Sequence, residues 1–234
     1  MLYPPPKINL DRIIFYGRSY NEYLQFFNLD EASLKGRRIL DCPAGPSSFA
    51  AEAKERGLAV VAVDSIFSEP LERLRQTALS DIEHHRLKAH QAADQYVWSY
   101  FKSFEEMFAV RHQSIDLFCA DFAQGLESGR YQAAALPHLP FGDSEFDLVL
   151  SGHFLFTYAD RLPYEFHLDC LRELLRVTKH ELRIFPLYGL DSARYPHLDR
   201  LSKELESSAV QIEVYKSDYK IVQGESEGVV LRKV

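Results

Sequence analysis

Short, continuous runs of apolar residues recur along the chain between longer stretches whose apolar positions repeat every three or four residues. A continuous apolar run bounded by turn residues is typical of a strand in a buried parallel sheet, whereas the longer period is typical of a helix that packs on one side. The runs predict strands at residues 38–41, 59–64, 131–135, 146–151, 181–186, 209–215 and 228–234.

The helical period predicts helices at residues 19–29, 48–56, 164–177 and 199–207. The connection over residues 68–129 is also mostly helical, and roughly forty of its residues exceed what one crossover helix needs. We predict two or three helices there, with breaks near 92–93 and 113–114, and one strand-like run at 115–120. Residues 1–17 contain three consecutive prolines and are predicted to be an irregular leader.

The alternation of strands and helices predicts an α/β fold with a mainly parallel sheet. The last two runs, 209–215 and 228–234, alternate in polarity and are predicted to form an antiparallel hairpin. The length fits a single domain, 1–234, in which 68–129 is a helical insertion after the second strand that serves as a lid or a subunit contact.

Charge and composition narrow the function classes. The net charge of -7, with scattered basic residues, does not indicate a nucleic-acid surface, and no apolar run is long enough for a membrane span. The N-terminus lacks the apolar core of a signal peptide. The cysteines at 42, 119 and 170 are odd in number and widely spaced, which favours reduced thiols in a cytoplasmic protein over a disulfide framework or a zinc site.

Metal binding is not expected elsewhere either. His84, His85 and His90 lie in the helical insertion without a matching group of cysteines or carboxylates. We therefore predict no metal site, and a small molecule as the partner. A homodimer formed through the insertion is a further prediction.

The segment 42–48, Cys-Pro-Ala-Gly-Pro-Ser-Ser, follows the first strand and precedes a helix. Its prolines and glycine predict a tight turn, and its serines predict the start of the helix. Asp41 ends the first strand and Asp64 ends the second, so both carboxylates are expected at the edge where open α/β sheets bind ligands. A structural role remains open for both, because Asp41 can fix the turn and Asp64 can cap the next element.

Four features together resemble the class I S-adenosylmethionine-dependent methyltransferases. They are the strand and turn at 39–49, Asp64, the run L-P-F-G-D-S-E-F-D-L-V-L-S at 139–151, and the helix and strand at 171–186. The resemblance implies a Rossmann-like seven-stranded sheet with a terminal antiparallel hairpin and helices on both faces. It also implies S-adenosylmethionine as the cofactor and S-adenosylhomocysteine as the product.

The resemblance further implies roles for individual positions. Asp41 would contact the methionine amino group, Asp64 would bind both ribose hydroxyls, and Leu136 would lie beside the adenine. Ser151 and His153 would face the reacting methyl group, with His153 as the catalytic candidate that takes a proton. The full set of candidate cofactor-binding residues is Asp41, Pro43, Ala44, Gly45, Ser47, Asp64, Ser65, Leu136 and Ser151.

The turn also departs from the family pattern. Pro43, Gly45 and Ser47 stand where the family usually has three glycines, and Ala135 stands where many members have an acidic residue for the adenine. The candidate substrate-binding residues are Tyr20, Tyr188 and Tyr195. Arg18, Tyr20 and Tyr23 either close over the cofactor or form part of an aromatic core.

These patterns leave three functions open. The first is methyl transfer from S-adenosylmethionine to a small molecule, and the second is an NAD-dependent oxidoreductase on a similar sheet. The third is a methyltransferase-like protein that binds the cofactor without turnover. The absence of G-x-G-x-x-G counts against the second, and the loss of two turn glycines favours the third.

Overall fold

The computed structural model describes residues 10–205, 210–224 and 226–233. Its sheet has the strand order β3-β2-β1-β4-β5-β7-β6, in which β1 to β5 are parallel and β7 is antiparallel to both β5 and β6. The strands are β1 Arg38–Asp41, β2 Ala59–Asp64, β3 Tyr131–Ala133, β4 Phe146–Gly152, β5 Thr178–Phe185, β6 Val210–Lys216 and β7 Glu227–Lys233. The predicted seven-stranded, mainly parallel sheet with a terminal antiparallel pair is confirmed.

The helices are α1 Tyr20–Phe26, α2 Glu31–Leu34, α3 Phe49–Glu55, α4 Leu71–Gln91, α5 Phe104–Glu127, α6 Tyr164–Val177 and α7 Leu198–Leu205. Short 3-10 turns cover Ser65–Ser68 and Ala93–Gln95. Residues 10–17 contain no helix or strand, as predicted for the leader. Residues 1–9 of that leader, 206 and 207 of the last predicted helix, and 209 and 234 of the predicted strands lie outside the described residues.

The sheet separates two apolar cores, so helices cover both of its faces. Ile39 and Leu148 belong to the core that also contains residues of α1, α3, α4 and α5, whereas their neighbours Leu40 and Val149 belong to the core under α6 and α7. This division follows from the period of two along a strand, which sends successive side chains to opposite faces.

Two predictions within the insertion are wrong. Residues 115–120 are not a strand, and the helix is not broken at 113–114, because α5 runs continuously from Phe104 to Glu127. Its buried side chains include Met107, Arg111, Ile115 and Phe118, which recur every three or four residues. That spacing places them on one face of a helix, and it outweighs the local apolar run that resembled a strand. The role of the insertion as a lid or a subunit contact stays a prediction.

Candidate functional site

A cavity of about 560 Å³ lies at the carboxyl edge of the sheet. Its walls include residues that directly follow four strands, namely 42–45 after β1, 65–66 after β2, 153–154 after β4 and 186 after β5. This is the position at which open α/β sheets bind ligands, and the volume lies in the usual range for small-molecule sites, about 300–1,000 Å³.

The turn after β1 lines the cavity and is hydrogen-bonded to the strands on both sides of β1. Cys42 N donates to Leu150 O of β4 at 2.9 Å, and Ala44 N donates to Val63 O of β2 at 2.8 Å. The Cys42–Pro43 peptide is cis, and Gly45 has a φ of +59°. Glycine adopts that left-handed conformation without the steric cost that a side chain would add, so the surviving glycine lies where the turn needs it.

Asp64 joins this turn to the end of β2. Its Oδ2 accepts a hydrogen bond from Gly45 N at 3.0 Å, and its Oδ1 accepts one from Ile66 N at 3.2 Å. Burial raises the pKa of Asp64, and the backbone donors partly oppose that shift. Each carboxylate oxygen retains further acceptor capacity, so the side chain can still receive two hydroxyl donors from a ligand in the cavity.

Asp41 lies beneath the turn and does not line the cavity. It is fully buried, and Tyr23 Oη donates to its two carboxylate oxygens at 3.2 and 2.9 Å. Burial raises the pKa of Asp41 well above its usual value, against the opposing effect of the Tyr23 hydroxyl. This contact ties helix α1 to the end of β1, so Asp41 supports the site from below.

His153 lines the cavity just beyond β4, in a backbone conformation with a φ of +52°. Its ring lies among aromatic rings, with centroids 5.1 Å from Phe26 and 5.3 Å from Phe185, and its Nε2 is buried without a hydrogen-bond partner in the described part of the chain. Burial, followed by the charges of Arg18 and Arg111, holds its pKa well below the usual value. The imidazole is therefore neutral and has an unused ring nitrogen.

The other predicted site residues divide into two groups. Those that line the cavity are Pro43, Ala44, Gly45, Asp64, Ser65, Leu136, His153 and Tyr188. Those outside the wall are Asp41, Ser47, Ser151, Tyr20 and Tyr195.

The residues outside the wall have identifiable structural contacts or positions. Ser47 Oγ accepts from Phe49 N at 3.0 Å at the start of α3. Tyr20 donates to Glu31 at 3.1 Å and stacks on Phe49, and the Tyr195 hydroxyl lies 2.7 Å from His167 Nδ1. The Ser151 side chain is buried within β4.

The cavity also contains a histidine for which the sequence suggested no role beyond an unlikely metal site. His85 of α4 lies between two tyrosines, with Nδ1 2.8 Å from Tyr16 Oη and Nε2 2.9 Å from Tyr96 Oη. Burial lowers the pKa of His85 to about 3, and the charges of Arg18 and Arg111 act in the same direction. The histidine and the two tyrosines come from the leader, from α4 and from the segment after α4. No local sequence pattern indicates that they meet, so the group was not predicted.

A buried ion pair supports the same side of the cavity. Arg111 of α5 forms a two-pronged ion pair with Glu22 of α1, and both side chains are fully buried. Tyr219 Oη also donates to Glu22 at 2.6 Å, as does Ser19 N at 2.9 Å. Although burial would raise the pKa of Glu22, the Arg111 charge outweighs it and lowers the pKa to about 2.

The loop between β6 and β7 forms another wall of the cavity and is attached to the segment between α4 and α5. Val97 N donates to Ile221 O at 3.1 Å, and Gln223 N donates to Gln95 O at 2.7 Å. Side chains from this loop therefore face the same space as those from the leader and the insertion. From the sequence, this loop was predicted only as the connection within the terminal hairpin.

Two kinds of feature are absent from the described ranges. Within residues 10–205, 210–224 and 226–233, no group of three or more His, Cys, Asp or Glu side chains is arranged to hold a metal ion. None of the helices in those ranges combines the length and the apolar character that a membrane crossing requires.

The sequence is 31% identical over 229 residues to the uncharacterized protein MJ0045 of Methanocaldococcus jannaschii, and the match covers 97% of this chain and 99% of that one. The chain belongs to the same family as MJ0045. No protein-family model matches the chain.

Solved structures with a similar fold include a magnesium protoporphyrin IX methyltransferase from Synechocystis PCC 6803 with bound S-adenosylmethionine. It has a TM-score of 0.47 and 14% identity, with 87% of this chain and 73% of that chain covered. Another is a methyltransferase from Aquifex aeolicus, with a TM-score of 0.42, 16% identity, and 91% and 93% coverage.

Both TM-scores lie below 0.5, so the assignment of the fold rests on the sheet itself. Strand β7 lies between β5 and β6 and runs antiparallel to both, next to five parallel strands. The fold is that of the class I S-adenosylmethionine-dependent methyltransferases.

Proposed function

We propose that this protein transfers a methyl group from S-adenosylmethionine to a small-molecule acceptor. The observation that carries the proposal is the position of Asp64, a partly buried carboxylate that lines the cavity beside the left-handed Gly45 at the carboxyl edge of a methyltransferase sheet. A carboxylate there can accept hydrogen bonds from both hydroxyls of a ribose, and the glycine lets the turn adopt the left-handed conformation that brings its backbone to the cavity.

The residues present fit this cofactor. Asp64 would hold the ribose, the backbone of Pro43, Ala44 and Gly45 would border the methionine chain, and Leu136 would lie against the adenine. When bound, the cofactor supplies a methyl group on a sulfonium centre. The protein's main contribution is then to hold the acceptor in line with that methyl group, because orientation accounts for much of the catalysis in such a displacement.

His153 is the group that would receive the proton of an acceptor hydroxyl or amine. Its Nε2 is buried in the cavity wall without a partner in the described structure, and its low pKa keeps it neutral and able to accept. Because a low pKa also makes it a weak base, its task would be to remove a proton that the acceptor is already losing in the transition state.

The sheet disfavours the oxidoreductase alternative. Dinucleotide-binding sheets of the common type place a sixth parallel strand beyond β5, whereas here an antiparallel β7 occupies that place. A cofactor-binding protein without turnover remains the second candidate, and the observation in its favour is the turn in which two prolines flank a single glycine.

Calorimetry with S-adenosylmethionine, S-adenosylhomocysteine and NAD tests the proposal. We expect binding of the two sulfur compounds and none of NAD, and then methyl transfer to a member of a metabolite panel. Binding of NAD alone would contradict the proposal. Binding of S-adenosylmethionine without transfer to any panel member would favour the non-catalytic candidate.

Replacing Asp64 by alanine is expected to weaken the binding of S-adenosylhomocysteine at least tenfold, about 1.4 kcal/mol, because charge-assisted hydrogen bonds to the ribose are lost. Calorimetry measures the change, and a thermal melt checks that the variant is folded. Asp116→Ala is the matched control, since Asp116 is exposed on α5 and its one ion pair among the described residues is with Arg75. Equal affinities in the two variants would place the ribose elsewhere.

The proposal also includes the location of the protein in the cell and its state of association. A cytoplasmic location agrees with three cysteines that are all unpaired. A homodimer through the insertion is the remaining proposal about partners, and light scattering would test it.

A further inference from the structure

Arg18 is a cation in the cavity wall that has no counter-ion in the described part of the chain. Its Nε is buried without a hydrogen-bond partner, and no carboxylate of the described residues lies within 4.0 Å of its guanidinium. The backbone around it is fixed, because Arg18 O accepts from Ser47 Oγ at 2.8 Å and from Ser48 N at 3.1 Å. A guanidinium without an ion-pair partner, carried on a fixed backbone in such a wall, is available to bind an anion.

The neighbouring charges do not supply that anion. Arg111 lies against the same ring, with both guanidinium carbons close to the Tyr16 centroid, at 5.1 Å for Arg18 and 5.2 Å for Arg111. Arg111 is neutralised by Glu22, whose carboxylate accepts hydrogen bonds from Arg111, Tyr219 and Ser19. The charge of Arg18 also helps to lower the pKa of Glu22, but the two form no ion pair within 4.0 Å. Among the described wall residues, the one acidic side chain is Asp64, which accepts from the backbone of the turn.

The position of Arg18 points to the acceptor rather than the cofactor. Its backbone carbonyl contacts Ser47 and Ser48 of the turn after β1, but its guanidinium lies over the ring of Tyr16, whose hydroxyl contacts His85 of α4. The surrounding wall also includes aromatic and apolar side chains, among them Tyr96, Met107 and Val222. Such a wall suits a flat, apolar body that carries one charged group.

We propose that Arg18 binds a carboxylate of the methyl acceptor, and that the acceptor is a small, ring-bearing carboxylic acid. The inference rests on the proposed function, since it assigns the acceptor to the part of the same cavity that the cofactor would leave free. A guanidinium accepts a carboxylate through two parallel hydrogen bonds, which fixes the direction of the acceptor as well as its affinity. Binding of the anion also removes an unpaired charge from the surroundings of His153, which favours proton acceptance there.

The test uses the full chain saturated with S-adenosylhomocysteine and two probes of equal shape, 2-naphthoate and 2-naphthamide. Calorimetry is expected to show at least tenfold tighter binding of the naphthoate in the wild type. Arg18→Met is expected to abolish that preference, while Arg18→Lys retains part of it. Lys220→Met is the matched control, because Lys220 is the other wall cation outside an ion pair in the described residues, and it is expected to keep the preference.

The outcomes separate the alternatives. No preference for naphthoate in the wild type, or its loss in Lys220→Met but not in Arg18→Met, would overturn the inference while leaving the proposed function intact. If Arg18→Met weakens S-adenosylhomocysteine tenfold but leaves 5′-methylthioadenosine unchanged, Arg18 holds the carboxylate of the cofactor, and the inference is also overturned. Failure of the wild type to bind S-adenosylhomocysteine would overturn the proposed function first.

Discussion

Replacing Arg111 by methionine is expected to lower the free energy of unfolding by about 3–5 kcal/mol. The change removes one partner of a fully buried ion pair and leaves the Glu22 carboxylate in a site with no access to water. The remaining donors, Tyr219 Oη and Ser19, supply hydrogen bonds but no positive charge. Urea unfolding at neutral pH measures the loss as a shift of the midpoint at constant slope.

Two further variants make this result specific. Arg75→Met removes an exposed ion pair with Asp116 and is expected to cost about 0–1 kcal/mol, because solvent screens such pairs. The double variant Glu22→Met with Arg111→Met is expected to recover much of the loss, since no charge is then left buried. If Arg111→Met cost no more than Arg75→Met, the buried pair would not be a determinant of stability.

Gly17→Ala is expected to destabilise the fold by about 1–3 kcal/mol. A Cβ at this position would lie 2.3 Å from Pro46 O and 3.0 Å from Pro46 C. Both atoms belong to the backbone of the turn, so no side-chain rotation relieves the clash. The leader, which carries Tyr16 and Arg18, would have to move away from the turn, and we therefore expect weaker binding of S-adenosylhomocysteine as well.

Gly142→Ala is the control for this substitution. It makes the same chemical change, but the nearest atom to its Cβ is the end of a flexible side chain, Glu145 Oε2, at 3.6 Å. Thermal melts of both variants give the comparison, and the expected order is a clear loss at position 17 and a small effect at position 142. The reverse order would show that the leader does not press on the turn.

The strands were predictable because each carries its own local signal. The apolar runs at 38–41, 59–64 and 146–151 end where polar residues begin, and the structure starts or ends its strands within a residue of those points. Strand β5 begins three residues earlier than predicted, at Thr178, because pairing with β4 continues into a polar stretch that has no apolar pattern. At 115–120 the prediction erred in the other direction. The apolar composition was given more weight than the helical spacing, and the structure has a helix there.

One part of the candidate site could also be predicted from the sequence, and the other part could not. Residues at the ends of β1 and β2 could be placed together, because the carboxyl ends of parallel strands meet at one edge. The other half of the cavity depends on contacts such as Arg111 with Glu22, which are 89 positions apart, and Tyr219 with Glu22, which are 197 apart. Such pairs leave no periodic pattern in the sequence, and only tertiary packing brings them together.

The position of β7 in the sheet has a consequence for how the protein folds during synthesis on the ribosome. Among the described strands, β6 pairs with β7 alone, and β7 is the strand that connects it to β5. A nascent chain that has not yet released β7 therefore holds β6 away from the sheet, with the loop that carries Tyr219 unanchored at one end. The cavity can therefore be completed only after β7 has joined the sheet, and until then the carboxyl edge of the growing sheet is open to solvent and to chaperones.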